Sequence, residues 1–570
     1  MMSNSEQFLN HTVYLQEIQD LLKEKSQGKE KREDLLSSQK DNRYLLFFKK
    51  AKKNFLFGFF YVQFKMIKKL LLLFIFTSYL LSSTLNLSIS SNPSRINPIL
   101  ATDSASSEIA DWIFSGLFKY DKDGNIAPDL AKSYKFHNDT KLIVKLKKNV
   151  LWHDNVKFTA HDVVFTFDTI NSPKIFTPTT NSFKKVARVK ALDEYTVEIL
   201  YKEPYFKALE IWLSGILPKH ILEKEKDLMT SSFNKKPIGT GPYTLNELVI
   251  SQDITLKVNK NYFGEVPKID TISYKFVPDP TTSFYMLKQK QLDLGGLTPI
   301  QVDRQIDKKF NTQFNIYERA SFSYTYLGFN LKSEKFKNKK IRKAISLAID
   351  RNQLIDILFF GHGQICNGPF LPGSYAFNEE VKTPLVDIEK SKALLKELGF
   401  DENNRFSFQV ITNANNSTRV NVAQILQHQL SKVGIDMQIR VMEWQAFLNT
   451  IVHPRNFDAI ILGWSLPLMA DARSLWHSTS DFTGGFNLIG YKNKKVDTLI
   501  EKGEKTIDKN ELSKIYQELY KIIANDLGYI FLYIPNSITA INKQIKNVHP
   551  ALTGIMHNQE EWIKNKEKNE

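Results

Sequence analysis

The chain has 570 residues, a formal net charge of +16, 42% hydrophobic and 12% aromatic residues, and a single cysteine, Cys366. This length predicts about three domains, and the globular composition excludes a collagen, a coiled coil or a disordered chain. One cysteine excludes an intramolecular disulfide, a four-cysteine zinc site and an iron–sulfur cluster. No segment interleaves Arg and Lys with aromatic residues as a nucleic-acid groove does, so we expect solvated lysines and no nucleic-acid partner.

A secretory signal peptide is predicted at about residues 66–83. Met66 and two lysines precede an uncharged stretch, LLLLFIFTSYLL, which Ser82 and Ser83 follow. A short basic region, an apolar stretch and small polar residues are typical of such signals, and the stretch is too short to span a bilayer, which takes about 20 residues. We therefore expect cleavage after Ser82 or Ser83 and a periplasmic protein. The stretch lacks the cysteine that attachment of a lipid would need.

Residues 1–65 precede this signal, although a signal peptide normally begins a chain. They are mostly polar and charged, with phenylalanines among lysines near their end. One interpretation is a cytoplasmic extension followed by a membrane anchor. The interpretation that we favour is that translation begins at Met66 and that residues 1–65 are not part of the native protein.

The first part of the exported chain alternates apolar and polar residues in two short segments, 141–147 and 197–201. This alternation predicts half-buried antiparallel strands, so residues 119–224 are predicted to form a small α+β unit. Asn155 falls in a turn between them, because asparagine tolerates the left-handed backbone conformation that a turn requires.

The later part of the chain predicts a doubly wound α/β arrangement. A long helix is predicted over residues 341–359. A helix over 388–398 begins after the N-cap residue Asp387. The remaining predicted elements are a strand at 406–412, a helix from its cap Ser417 to 433, a strand at 435–441, a helix at 444–452 and a strand at 459–462. This β-α-β-α-β order predicts a parallel sheet.

Ligands in open α/β sheets bind beyond the carboxyl ends of the strands. That rule indicates the loops at residues 412–416 and 463–476. Trp464 and Asp471 in the second loop suit a peptide-like or cationic ligand, because the indole ring can stack and the carboxylate can pair with a cation. The alternative is that Trp464 belongs to the core and Asp471 caps the next helix. Position alone favours neither.

No catalytic or cofactor motif was found. The chain lacks His-Glu-x-x-His, Gly-x-Ser-x-Gly and the Walker lysine loop, and its histidines do not have metal-ligand spacing. Cys366 lies in a glycine-rich loop without a base assigned beside it. We therefore expect no enzyme, no catalytic residues, no metal site and no cofactor.

A series of short motifs carries a family resemblance. They are, in order, NPSRINP (92–98), IFSGLF (113–118), DKDGNIAPDLA (121–131), LWHD (151–154), FTAHDVVFTF (158–167), LPKHI (217–221), PIGTGPY (237–243), YLGFN (326–330), IRKAI (341–345), AIDR (348–351), GW (463–464), SLWHS (474–478), GY (490–491) and FLY (531–533). In this order and spacing they resemble the family 5 bacterial solute-binding proteins, which are dipeptide, oligopeptide and nickel receptors of ABC importers.

The resemblance implies a mixed α/β, two-lobed periplasmic-binding-protein fold with an inserted domain and a hinge. It implies a discontinuous lobe I at residues 84–118, 225–322 and 531–570. The inserted α+β domain would be residues 119–224, and lobe II residues 323–530. Hinge crossings are expected near residues 321–327 and 528–533.

The resemblance also implies the function. The protein would capture peptides in the cleft between the lobes by hinge closure and deliver them, as a monomer, to the permease and ATPase subunits of an ABC importer. Within the same fold, the alternative is a receptor for another solute, such as a chelated metal like nickel or an oligosaccharide. An enzyme or a structural periplasmic protein is the remaining class.

The predicted ligand-binding residues sit at hinge or strand-end positions that match pocket-forming segments of the family. They are Tyr324, Tyr326, Tyr375, Trp464 and Asp471. Peptide receptors of this family typically have an Asp three residues after the Gly-Trp tryptophan, where it pairs with the ligand's ammonium group, but this chain has Pro467 there. We expect Asp471, the second acid of a related Asp-Pro-Asp run, to take over that role.

Overall fold

The computed structural model describes residues 83–177, 179–482 and 485–565. All of the predicted signal peptide except Ser83 lies outside these residues. Within the described ranges, no helix is long and apolar enough to cross a membrane. The α-helices are α1 Ser104–Ile113, α2 Ala160–Ile170, α3 Thr179–Phe183, α4 Lys219–Leu222, α5 Pro280–Lys288, α6 Pro299–Arg304, α7 Lys308–Gln313, α8 Glu334–Lys337, α9 Lys339–Ala348, α10 Arg351–Phe359, α11 Ile388–Glu397, α12 Ser417–Ser431, α13 Trp444–Phe447, α14 Arg473–Trp476, α15 Lys494–Glu504 and α16 Lys509–Asp526. A π-helical turn, Leu448–Val452, extends α13.

The strands form three main sheets. They are β1 Thr84–Ile89, β2 Phe118–Tyr120, β3 Ile126–Pro128, β4 Ala131–Asn138, β5 Lys141–Leu146, β6 Val186–Asp193, β7 Thr196–Tyr201, β8 Tyr243–Leu248, β9 Asp253–Val258, β10 Thr271–Phe276, β11 Leu294–Leu297, β12 Phe314–Ala320, β13 Ser323–Phe329, β14 Gly363–Ile365, β15 Phe406–Asn413, β16 Ile435–Met442, β17 Ala459–Ser465, β18 Tyr529–Asn542, β19 Ile545–Lys546 and β20 Ile563–Lys564. The sheet orders are β1-β10-β9-β8, β4-β5-β7-β6 and β11-β18-β13-β17-β15-β16, and β12 and β14 also pair with β18.

The sheet β4-β5-β7-β6 lies within residues 119–224 and is antiparallel throughout, as the alternating sequence predicts. Asn155 has φ +68°, the left-handed conformation expected for its turn. The apolar faces of this sheet and of β1-β10-β9-β8 belong to one continuous hydrophobic core, which includes Leu87, Leu142 and Ile254. Residues 119–224 therefore pack as part of a larger body.

The predicted β-α-β-α-β arrangement is confirmed. β15 pairs in parallel with β16 on one side and with β17 on the other. The helix between β15 and β16 begins one residue earlier than predicted, because Asn416 rather than Ser417 is the N-cap, and its side chain accepts the Arg419 N–H. Asparagine and serine are both good N-caps, so the sequence alone does not choose between neighbours.

The prediction of a single long helix over residues 341–359 is wrong. The segment forms two helices, α9 and α10, separated at Ile349 and Asp350. The Asp350 side chain accepts the N–H of Gln353 at 3.1 Å, which starts the second helix. The apolar periodicity continues across the break because both helices pack on the same core.

Strand β18 connects two parts of the large sheet. Its first half, Tyr529–Tyr533, pairs with β13, and its second half, Asn536–Asn542, pairs with β12. The change of partner falls after Tyr533 on β18 and between Ala320 and Ser323 on the other segment. The crossings expected near 528–533 and 321–327 lie beside this change of partner, and their role as hinges stays a prediction.

Candidate ligand-binding site

Three of the predicted site residues lie on neighbouring strands. Tyr324 on β13 stands opposite Trp464 on β17, and Tyr326 follows on the same strand. The Tyr326 ring stacks on Tyr529 with 3.7 Å between ring centroids. The Trp464 Nε1–H donates to the Tyr529 hydroxyl at 3.3 Å. The strands thus gather these residues into one aromatic cluster.

The members of this cluster differ in exposure. The side chains of Tyr324 and Tyr326 are 1% and 0% exposed, whereas Trp464 is half-buried. The Tyr324 hydroxyl has no hydrogen-bond partner among the described residues, and burial raises its pKa. A buried hydroxyl without a partner costs free energy.

Trp464 also packs against Phe486. The two rings pack edge to face with 5.8 Å between centroids, and Phe486 is 55% exposed. Trp464 is therefore packed partly on the core, and stacking of its ring on a ligand stays a prediction.

Asp471 contacts both the backbone and a distant cation. Its Oδ1 accepts the Arg473 N–H at 3.0 Å at the start of α14. Its Oδ2 lies 3.3 Å from the Nζ of Lys207, which comes from residues 119–224. Ala472 is the N-cap residue of α14, and Asp471 supports its first turn from one residue earlier. Pairing of the Asp471 carboxylate with a ligand cation stays a prediction.

Tyr375 supports the Asp471 loop. Its hydroxyl donates to the carbonyl oxygen of Ala470 at 2.7 Å, and its ring packs against Tyr516 with 5.2 Å between centroids. Tyr375 is therefore placed next to Asp471, while Tyr324, Tyr326 and Trp464 form the neighbouring aromatic cluster.

The charges around Asp471 do not balance. Lys207 also lies 3.5 Å from Glu210, and burial raises the pKa of Glu210 while Lys207 lowers it. Arg473 pairs with Glu504 through two nitrogens, one of them at 2.7 Å. This cluster, hereafter the Asp471 network, contains three carboxylates and two cations. Its ionised form carries one excess negative charge, which a ligand ammonium group could neutralise.

Arg419 is a candidate that the sequence argument missed. It lies in the first turn of α12, beyond the carboxyl end of β15, and its Nη1 donates to the Asn413 side-chain oxygen at 3.0 Å. Burial lowers its pKa, and no Asp or Glu of the described residues pairs with it. A Cβ atom at Gly463 would come within 3.3 Å of its Nη2. The sequence indicates the loop at 412–416, but the cation stands three residues further on.

Pro467 faces apolar surroundings. It lines a narrow cavity with Phe322, Leu466, Leu468 and Ala470. These neighbours offer apolar side chains and no carboxylate. An ammonium group would gain nothing at this position, so an amino anchor has to be sought elsewhere.

Comparisons with known proteins agree on one family. Residues 125–486 match the model described as bacterial extracellular solute-binding proteins, family 5 middle. The oligopeptide-binding protein AppA of Bacillus subtilis (strain 168) is 32% identical over 489 residues, which cover 82% of this chain and 89% of AppA. Its solved structure, in complex with a nonapeptide, has a TM-score of 0.69 at 31% identity and covers 85% of this chain and 100% of that chain.

A nickel-binding relative is similar in structure as well. NikZ from Campylobacter jejuni, solved in complex with Ni(L-His), has a TM-score of 0.69 at 27% identity and covers 85% of this chain and 99% of that chain. The likeness to these solved proteins confirms the expected mixed α/β, two-lobed fold.

Proposed function

The chain belongs to the bacterial extracellular solute-binding proteins of family 5, and we propose that it captures peptides and delivers them to the permease of an ABC importer. The observation that carries the proposal is that charges of opposite sign, each without a full set of partners, follow the neighbouring strands β15 and β17. Arg419 has no carboxylate partner among the described residues, and the Asp471 network has one negative charge in excess when all of its groups are ionised. A free peptide supplies a carboxylate and an ammonium group, and the similar AppA is an oligopeptide-binding protein.

The proposed site combines these charges with aromatic surface. The half-buried ring of Trp464 offers a surface for stacking, and the Tyr324 hydroxyl, which is buried and unpartnered in this structure, offers a hydrogen bond once the lobes part. Tyr326 and Tyr375 hold Trp464 and Asp471 through ring stacking and through the bond to Ala470. In this proposal the first two residues contact ligand, and the last two position them.

The proposed mechanism is hinge closure between two lobes. We assign lobe I to residues 84–118, 225–322 and 531–570, the inserted domain to 119–224 and lobe II to 323–530. The change of partner along β18 supplies two neighbouring crossings at which the lobes could rotate. A ligand that contacts both lobes stabilises the closed form in proportion to its extra contacts there.

We also propose export through the signal at 66–83 and a role in binding without catalysis. The compact unit starts at Ser83, and Thr84 begins β1, which pairs with β10. Edman sequencing of the native protein should therefore give an N-terminus near Thr84. A mature chain that retains residues 1–60 would refute the export proposal, and hydrolysis of a bound peptide would refute the proposal of binding alone.

Calorimetric titration with a nonapeptide of mixed sequence, its N-acetylated form and its C-amidated form tests the peptide proposal. A charged hydrogen bond contributes about 1.5–3 kcal/mol, so each blocking group should weaken binding about tenfold or more. Asp471→Asn should remove the effect of acetylation and keep the effect of amidation. Arg419→Gln should do the reverse.

These variants also control for each other, since each removes one charge from the same site. If neither blocking group changes the affinity, the charge-pairing argument fails. If no peptide binds and mass spectrometry of the native protein finds a metal chelate, the solute class of NikZ replaces peptides.

A further inference from the structure

A second cavity lies on the side of β18 away from β13. Its volume is 610 Å³, within the range of about 300–1000 Å³ that is usual for small-molecule sites. β14 covers this edge of β18 only from Tyr533 onward, so the backbone of Tyr529–Phe531 forms one wall. None of the predicted peptide-site residues lines this cavity.

The charges that line this cavity all have one sign. Its lining contains no Asp or Glu and five cationic side chains, which are those of Lys339, Lys340, Lys343, Arg351 and Lys382. Two of the lysines have acidic partners outside the lining: Lys339 lies 3.7 Å from Asp526, and Lys340 pairs with Glu397. A concave surface with uniform charge concentrates counter-ions.

Arg351 is the buried member of this set, with 5% of its surface exposed. Its Nε donates to the Phe531 carbonyl oxygen at 2.7 Å, and its Nη2 donates to the Ser346 hydroxyl at 3.2 Å. Both acceptors are neutral, so its positive charge is hydrogen-bonded but not neutralised. Burying an unneutralised cation is costly, and an anion in the cavity would reduce that cost.

The charged form of Lys343 is disfavoured by burial and by neighbouring cations. Lys343 is half-buried, and its pKa is lowered by burial and by the nearby cations Lys390, Lys339 and Arg351. Like charges at close range disfavour the charged form, whereas an anion between them would favour it. Lys343 and Arg351 therefore provide the inner charges of the cavity, and Lys339 and Lys382 stand on its exposed rim.

We propose that this cavity binds a multivalent anion, one that carries two or more phosphate or carboxylate groups, either as a free solute or as a lipid headgroup. Several cations grouped around one space can contact more than one anionic group at once, so a multivalent anion gains more than a monovalent one. This site does not depend on peptide binding, because it uses none of the groups assigned to the peptide.

Calorimetric titration of the purified protein with tripolyphosphate and with citrate tests the proposal, together with co-sedimentation on vesicles of cardiolipin, whose headgroup carries two phosphates, against phosphatidylcholine vesicles. We expect saturable binding at one site, weakened at least tenfold in the double variant Lys339→Gln/Lys343→Gln. The matched control is Lys337→Gln, which removes a nearby charge that pairs with Glu334 and does not line the cavity. Nonapeptide binding should stay unchanged in both variants.

Lysine acetylation read by mass spectrometry gives a second measurement that needs no variant. Tripolyphosphate should protect Lys343 from acetic anhydride while Lys337 stays reactive. Selective binding to cardiolipin vesicles alone would support the site with a lipid headgroup as its ligand. The proposal is overturned if none of the probes binds, or if Lys337→Gln weakens binding as much as the double variant does.

Discussion

Trp464 combines packing and exposure in one side chain, and its ring should carry much of the affinity for a peptide. We expect Trp464→Ala to weaken binding of the nonapeptide by about 2 kcal/mol, the scale of a buried aromatic anchor. The ligand-induced change in tryptophan fluorescence should disappear with it. Trp464→Phe keeps an aromatic ring next to Tyr326 and should bind within about 1 kcal/mol of the wild type. Wild-type affinity in the alanine variant would make Trp464 a core residue alone.

His153 is held as a neutral ring. Its Nδ1 accepts the Gly239 N–H at 3.2 Å, and its Nε2 lies 3.1 Å from the Gly241 carbonyl oxygen, so a proton on Nε2 alone satisfies both bonds. Burial lowers the pKa of His153 to about 4, while an unfolded chain has a histidine pKa of about 6.5. Between these pH values the unfolded state binds more protons than the folded state, so the free energy of unfolding falls as the pH falls.

The corresponding prediction compares urea unfolding at pH 7 and pH 5. The wild type should lose up to about 2 kcal/mol more over this step than His153→Gln, which cannot gain a proton. His161→Gln on the exposed face of α2 is the control and should behave as the wild type. Equal pH dependence in the wild type and His153→Gln would show that folding does not lower the pKa of His153.

Single residues were partly predictable from the sequence. Trp464 and Asp471 could be located because they follow a predicted parallel strand, and Asn155 because a turn favours asparagine. Arg419 was missed because its position next to Gly463 depends on β17, and β17 is separated from Arg419 in the chain by the rest of α12, β16 and α13. Contacts between distant segments leave no local pattern in the sequence.

At the scale of elements, Asp350 is the N-cap of α10 at the break between α9 and α10, and its capping bond should contribute measurably to the free energy of unfolding. We expect Asp350→Ala to lower the free energy of unfolding by about 1 kcal/mol, because the Gln353 N–H loses its acceptor. Asp350→Ser keeps an acceptor and should lose less than half as much in urea titrations. Equal losses in the two variants would show that the cap bond contributes nothing.

The elements with regular periodicity were predictable, and the long-range pairings were not. The alternation over 141–147 and the β-α-β-α-β order were confirmed because each depends on a local pattern. The helix break was missed because α9 and α10 bury apolar residues in one core. The spacing of apolar residues in the sequence therefore continues without interruption past the cap residue Asp350. The two sets of partners along β18 depend on strands more than 180 residues away.

At the scale of the whole molecule, residues 119–224 are held against the later part of the chain. Lys207, with a side chain that is 13% exposed, bridges Glu210 and Asp471, and the Phe206 N–H donates to the Glu504 carbonyl oxygen at 3.0 Å. If the lobes separate when the ligand leaves, these contacts exist in the closed form alone. Contacts made in one state shift the population toward that state.

Lys207→Met should therefore favour the open form. Loss of a partly buried ion pair worth about 1 kcal/mol should weaken binding by up to about fivefold, because apparent affinity scales with the closed population. Lys207→Met also leaves the Asp471 carboxylate without its lysine partner, so a free peptide ammonium group could bind it more tightly and mask the effect. The N-acetylated nonapeptide has no ammonium group at its N-terminus and is therefore the probe to use. Small-angle scattering should give a larger radius of gyration for the unliganded variant.

Lys505→Met is the matched control, because Lys505 also bridges the two segments, at 3.8 Å from Glu203, but with a side chain that is 60% exposed. An exposed ion pair contributes little, so this variant should bind within about twofold of the wild type. Equal effects of the two substitutions would assign the change to overall charge and refute a specific closure contact. A loss confined to Lys207→Met, with the larger radius, would show that the buried pair biases the molecule toward its closed form.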